Sequence, residues 1–208
     1  MKPQISVKHI VIDLIYLSNQ LKDLYKGNSE YLPIIDFLYD KDYLNDELDI
    51  PFPKLKDLEE ATGIKPHILR KLLLKMHNEV FNSESKVTLN FTKVLYRFYM
   101  KFYDQSCYFE VDHLPHLPRI GENINLPFTK SCIDINSFYV ENIIHELIND
   151  TQVISLWLKV GNYNEYWRFM KDRAIELREV GFKELHEFEE DVLKQKIYSN
   201  SRNYNRRK

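Results

Sequence analysis

The stretch PKLKDLEEATGIKPHILRKLLLKMHNEV, residues 53–80, predicts two helices joined by a tight corner. Leu55 and Leu58 are three residues apart, which places both on one face of the first helix. Gly63 supplies the corner, because glycine tolerates the left-handed backbone that ends many helices. Pro66 suits the first turn of the second helix, whose buried stripe is predicted to be Leu69, Leu72, Leu73 and Met76.

This helix pair resembles the helix-turn-helix of DNA-binding regulators, whose second helix enters the major groove. The chain departs from the motif at Glu59, because a small residue usually occupies the inner position four residues before the corner glycine. Residues 80–91 are predicted to form a hairpin, and alternation of Val87, Leu89 and Phe91 supports its second strand. The resemblance therefore extends to a winged helix-turn-helix over residues 54–91 and implies contact with duplex DNA.

The outward side of the second helix is rich in cations. Between Lys54 and Lys101 ten Lys or Arg residues stand against five acids, although the whole chain has a net charge of −2. Lys and Arg release condensed counterions when they meet phosphate, so such a segment suits a phosphate backbone. We predict a nucleic-acid interface formed by Lys65, His67, Arg70, Lys71, Lys75 and Asn78, with Lys86 on the wing.

Leu74 favours a different use of the same face. It projects with His67, Lys71 and Asn78, and burial of one leucine side chain stabilises a complex by roughly 1.5–3 kcal/mol. A protein partner, or a second copy of the chain, is therefore the alternative occupant.

Two further helices are predicted before the corner motif, over residues 5–26 and 30–44. Ile10, Leu14, Leu17, Leu21 and Leu24 form the apolar stripe of the first. Pro33 stands in the first turn of the second. The apolar run near the N-terminus is short and contains a charge, so neither a signal peptide nor a membrane span is expected. We therefore expect a cytoplasmic protein with no membrane partner.

The chain changes to a strand pattern after the helix pair. Alternation from Tyr96 to Phe102 and four apolar segments between residues 106 and 160 predict a β-rich region. Asn149-Asp150 is predicted to be a hairpin turn, and Gly121 the bend of a tight corner. Such corners occur in small β-barrels, so we predict an antiparallel β-barrel-like domain.

The predicted organisation is α+β. A helical domain with the helix-turn-helix covers residues 1–103, and a β-rich domain with C-terminal helices covers 104–198. Phe169, Ala174, Leu177 and Val180 mark one face of the first C-terminal helix. A disordered basic tail is expected over 199–208. Trp157, Tyr163 and Trp167 are candidates for protein contact, with a place in the core as the alternative.

No recognisable catalytic pattern accompanies these elements. The Gly-poor chain has no Walker or Rossmann fingerprint and no nucleophile elbow. His113 and His116 are three apart in a Pro-containing segment, which is poor geometry for one metal ion. Cys107 and Cys132 have no metal or redox spacing and are expected as reduced thiols. We therefore expect no enzyme activity, no metal and no cofactor.

The function expected from these patterns is a nucleic-acid-binding accessory or regulatory protein. The alternative is a non-enzymatic structural or protein-interaction component, for example of a phage particle. In composition the chain is loosely similar to uncharacterised proteins of phages and mobile elements.

Overall fold

The computed structural model describes residues 5–82, 84, 87–188 and 190–205 of the 208-residue chain. The fold is α+β, as predicted. The helices of the described residues are α1 (Val7–Ile15), α2 (Ser18–Leu24), α3 (Leu32–Tyr39), α4 (Leu55–Thr62), α5 (Pro66–Phe81), α6 (Glu165–Glu176), α7 (Phe182–Glu187) and α8 (Glu190–Asn205). The strands are β1 (Lys93–Phe102), β2 (Gln105–Val111), β3 (Asn123–Asn125), β4 (Ser137–Ile148) and β5 (Thr151–Val160), and single 3₁₀ turns occur at Asp46–Leu48 and Pro127–Thr129.

The five strands form one open sheet in the order β2-β1-β5-β4-β3. β3 pairs antiparallel with β4, with Ile124 opposite Phe138. The Lys93 N–H donates to the Asp150 carbonyl at 3.2 Å where β1 and β5 begin, so these neighbours run parallel and the sheet is mixed. The predicted barrel is therefore wrong. Closure would require β2 to pair with β3, and these strands lie at opposite edges.

The chain divides into two compact units. The first contains Met1–Tyr99, Tyr108–Leu117 and Ile143–Leu156. The second contains Met100–Cys107, Pro118–Asn142 and Trp157–Lys208. β1, β2, β4 and β5 each contribute residues to both units, so the division does not follow the order of the elements along the chain.

The helices of the first unit bury one apolar core. Ser6 begins α1 by accepting a hydrogen bond from the His9 N–H at 3.2 Å through its side chain. Tyr31 and Leu58 are fully buried, and each such side chain removed from water stabilises the fold by roughly 1.5–3 kcal/mol. Pro33 stands in the first turn of α3, as predicted. The core also includes Ile10, Val11, Leu14, Ile15, Leu21, Ile34, Ile35, Leu38, Leu69, Leu72, Leu73 and Met76.

The helix predicted over residues 5–26 is broken at Tyr16 and Leu17. The turn between β4 and β5 caps the break, because the Asn149 N–H donates to the Tyr16 carbonyl at 2.7 Å. The Asn149 Oδ1 accepts from the Ser18 hydroxyl at 3.2 Å and from the Asn19 N–H at 3.4 Å. The turn thus supplies hydrogen-bond partners for backbone groups at the end of α1 and the start of α2. These bonds offset the free-energy cost of leaving such groups unpaired where the helix is interrupted. The hairpin turn itself was predicted correctly.

Asn149 contributes to stability in two ways, through its side-chain hydrogen bonds and through its tolerance of a left-handed backbone with a φ of 54°. Three substitutions are expected to distinguish the two contributions. Asp keeps the acceptor oxygen and should leave stability nearly unchanged. Gly keeps the backbone conformation but loses both side-chain bonds, whereas Ala loses the bonds and is also strained. We expect Ala to cost roughly 1–3 kcal/mol and Gly less. Urea unfolding followed by far-UV circular dichroism measures the free energy of unfolding of each variant. Equal stability of the Ala and Asp variants would contradict the prediction.

The second unit has its own helical core. Trp167, Met170, Ala174, Val180, Leu193 and Ile197 are buried there. The face predicted for α6 is thus half correct: Ala174 and Val180 are buried, whereas Phe169 and Leu177 are exposed. Gly181 divides the C-terminal helices as predicted, although the second segment forms two helices, α7 and α8. α8 continues to Asn205, so the tail expected to be disordered from residue 199 is helical to that point.

A chain of ion pairs ties α6 and α8 to β4 and β5 within the second unit. Lys159 Nζ lies 2.6 Å from Glu190 Oε2 and 3.4 Å from Glu141 Oε1. Lys171 adds a contact to Glu141 at 3.8 Å, and Lys194 one to Glu190 at 3.0 Å. Burial raises the pKa of Glu190, but its bonds to the two lysines outweigh burial and leave the pKa below its ordinary value. The pairs therefore favour the ionised carboxylate in the folded state.

The corner before β3 is formed as predicted. Gly121 has a φ of 89°, and its N–H donates to the Val140 carbonyl at 2.8 Å. A Cβ at this position would stand 2.9 Å from Cδ1 of Tyr163. Glycine is therefore required both by the backbone and by the ring beside it.

Candidate nucleic-acid interface

The helix pair predicted from residues 53–80 is confirmed as α4, a corner at Gly63, and α5. The Asp57 carboxylate accepts from the Lys54 N–H at 2.6 Å and so begins α4. Gly63 ends this helix in the left-handed conformation, with a φ of 68°, and its N–H donates to the Glu59 carbonyl at 2.9 Å. The Thr62 hydroxyl donates to the Leu58 carbonyl at 2.6 Å. The corner is thus fixed by local hydrogen bonds and by glycine itself.

α5 turns its predicted apolar stripe into the core of the first unit. Leu69, Leu73 and Met76 are fully buried, and Leu72 nearly so. His77 also lies on this side, where its Nε2 is 3.1 Å from Asp13 Oδ2 of α1. Sequence reasoning missed this polar contact between α1 and α5, because residues 13 and 77 are remote in the chain.

The opposite side of α5 is open to solvent, as the interface requires. Lys65, His67, Arg70, Lys71 and Asn78 are all exposed. Within the described ranges, no carboxylate pairs with Lys65, Arg70 or Lys71. An incoming anion would therefore break no ion pair of these three cations within the described ranges.

Lys75 differs from the other predicted cations. Its Nζ lies 3.3 Å from Glu30 Oε2 and 5.3 Å from the centre of the Tyr31 ring. Hydrogen bonding to Tyr31 and Glu30 raises the pKa of Lys75 above its ordinary value. The side chain is half exposed, so it still reaches solvent, but Glu30 already neutralises much of its charge.

The predicted wing is not confirmed. Residues 87–92 belong to no helix or strand, and β1 begins only at Lys93. Val87 and Leu89 are instead half-buried against the helical core, while the Asn90 N–H donates to Gln20 Oε1 at 2.7 Å. Contacts with the helices thus replace the expected ladder, and Lys86 lies outside the described residues.

The aromatic residues predicted to contact protein have three different surroundings. Trp157 is exposed on β5 with 45% of its surface accessible. Tyr163 is half-buried and packs its ring against Tyr139, with the centroids 5.9 Å apart. Trp167 is buried in the second unit, where the Lys171 and Lys194 ammonium groups lie 5.8 and 5.7 Å from its ring centre. Trp167 is therefore a core residue, which agrees with the structural alternative.

No group of three or more His, Cys, Asp or Glu side chains placed to hold a metal ion occurs in the described part of the chain. In the same residues no helix has both the length and the apolar character needed to cross a bilayer. No family model, curated protein or solved structure matches the chain. The geometry of α5 and its surroundings is therefore the main guide to function.

Proposed function

We propose that this protein binds duplex DNA through α5, with α4 and Gly63 acting as a helix-turn-helix. The observation that carries the proposal is the exposure of Lys65, Arg70 and Lys71 without carboxylate partners among the described residues. Cations in that state gain the most from phosphate, because binding releases counterions and breaks no internal ion pair. An accessory or regulatory role in the cytoplasm fits a non-catalytic DNA-binding protein.

The shape of α5 suits a major groove. Its 16 residues rise about 24 Å, and His67, Lys71 and Asn78 of its outward side are exposed. His67, Lys71 and Asn78 project along one line of that side because they are spaced four and seven apart. In the bound state we assign phosphate contacts to Lys65, Arg70 and Lys71, and base-edge hydrogen bonds to His67 and Asn78.

A salt titration tests the proposal directly. Affinity for a mixed-sequence duplex is measured by fluorescence anisotropy between 50 and 200 mM salt, a range over which phosphate binders lose affinity steeply. The three phosphate contacts of Lys65, Arg70 and Lys71 predict a log–log slope of at least roughly −2.7 in magnitude, and a loss of roughly 40-fold or more across that range. A flat response, or no binding at the lowest salt, rejects DNA binding.

Leu74 supports a second candidate function, which is docking of a protein on the same face. Its side chain is 44% exposed, and Phe81, seven residues later on the same side of the helix, is also exposed. A structural or interaction protein, such as a phage-particle component, would cover these residues with a partner or a second copy. Sedimentation of the wild type and of Leu74→Asp distinguishes this candidate, because only an assembly through this face dissociates on substitution.

A further inference from the structure

A groove of about 950 Å³ opens in the first unit beside the proposed DNA-binding helix. Its walls come from the start of α1, the Pro-rich connector before α4, the first residue of α4, and α5. Its lining residues include Val7, Lys8, Phe52, Lys54, Leu55 and Arg70. Elements far apart in the chain thus share one depression.

The charges on the described residues that line this groove all have the same sign. Lys8, Lys54 and Arg70 are its charged lining residues, and all three are exposed. No described carboxylate pairs with any of these three side chains. The nearby Asp57 carboxylate accepts a hydrogen bond from the Lys54 backbone N–H and so serves the start of α4. The groove is therefore complementary to an anion.

The apolar and Pro residues that line the groove also bear on anion binding. Val7, Phe52 and Leu55 supply apolar surface beside the three solvent-exposed cations. Pro51 and Pro53 restrict the backbone of the connector. Less ordering is then needed when an anion binds.

We propose that the groove holds backbone phosphates of the same duplex that α5 contacts, a step that rests on the proposed function. Arg70 belongs to both the groove and the exposed side of α5, adjacent to Lys71. A polyanion lying along α5 therefore continues into the groove, where Lys8 and Lys54 meet its next phosphates. A single small anion would be too short to contact both the cations of α5 and those of the groove.

The test is the double variant Lys8→Ala/Lys54→Ala in the full chain, measured on two duplexes of unrelated sequence. Loss of two phosphate contacts should reduce the magnitude of the log–log salt slope by about 2, and weaken binding roughly 10- to 100-fold at 100 mM salt, equally for both duplexes. The matched control is Lys26→Ala/Lys41→Ala, which removes the same charge from exposed positions of the first unit. The control should retain wild-type affinity.

The possible outcomes separate this inference from the function on which it rests. If the wild type does not bind duplex, the proposed function fails. If the wild type binds and the groove variant matches the Lys26/Lys41 control in affinity and slope, only the groove inference is overturned. A rise in Tm with inorganic phosphate that the groove variant loses, with duplex affinity unchanged, identifies a small-anion site and also overturns the inference.

Discussion

Arg70→Glu/Lys71→Glu is expected to weaken duplex binding at least about 100-fold at 100 mM salt. Two phosphate contacts disappear, and two new carboxylates repel the backbone. Both side chains are exposed and have no described ion partner, so the fold should tolerate the change. Anisotropy with a labelled duplex measures the loss, and circular dichroism verifies the helices.

The matched control for this double reversal is Arg119→Glu/Lys130→Glu. It produces the same net charge from two exposed residues of the second unit. The control should bind duplex with an affinity close to that of the wild type. Equal losses in the two variants would show that only global charge matters, and α5 would then no longer be the interface.

The orientation of α5 can be tested by substituting Leu73 and Leu74, because these adjacent leucines have opposite surroundings. Leu73 is fully buried, and Leu74 is 44% exposed. Leu73→Ala should lower the free energy of unfolding by roughly 2–5 kcal/mol, since it leaves a cavity in the first unit. Leu74→Ala should change it by less than about 0.5 kcal/mol.

Far-UV circular dichroism during urea unfolding is the suitable measurement for this pair. Both tryptophans, Trp157 and Trp167, belong to the second unit, so their fluorescence does not report directly on α5. Similar losses for the two variants would mean that α5 is rotated relative to the arrangement described here. Its cationic residues would then no longer all face solvent.

The helix pair was predictable because the information that forms it is local. Apolar spacing and the corner glycine lie within residues 53–80, and the exposure of Lys65, Arg70 and Lys71 follows from the stripe that α5 buries. The neutralisation of Lys75 was not predictable in the same way. Glu30 is 45 residues away, and only the packing of the helices brings the two charges together.

The failures of prediction share that cause. Alternation of side chains identifies strands, but it does not show that β1 and β5 run parallel or that the sheet stays open. Val87 and Leu89 alternate as a strand would, yet they are half-buried against helices and lie before the start of β1. Phe169 and Leu177 were predicted on one helical face with Ala174 and Val180, but α6 ends at Glu176, and only Ala174 and Val180 are buried.

The Asn149 turn also constrains how the protein is made. Residues 16–19 leave the ribosome long before residue 149, so the junction between α1 and α2 lacks its hydrogen bonds to Asn149 during most of synthesis. Nascent chains in that interval carry the apolar residues of the N-terminal helices without their final cap, a state in which chaperones commonly bind. The hydrogen bonds of Asn149 to Tyr16, Ser18 and Asn19 can therefore form only after the chain has been synthesised past the turn between β4 and β5.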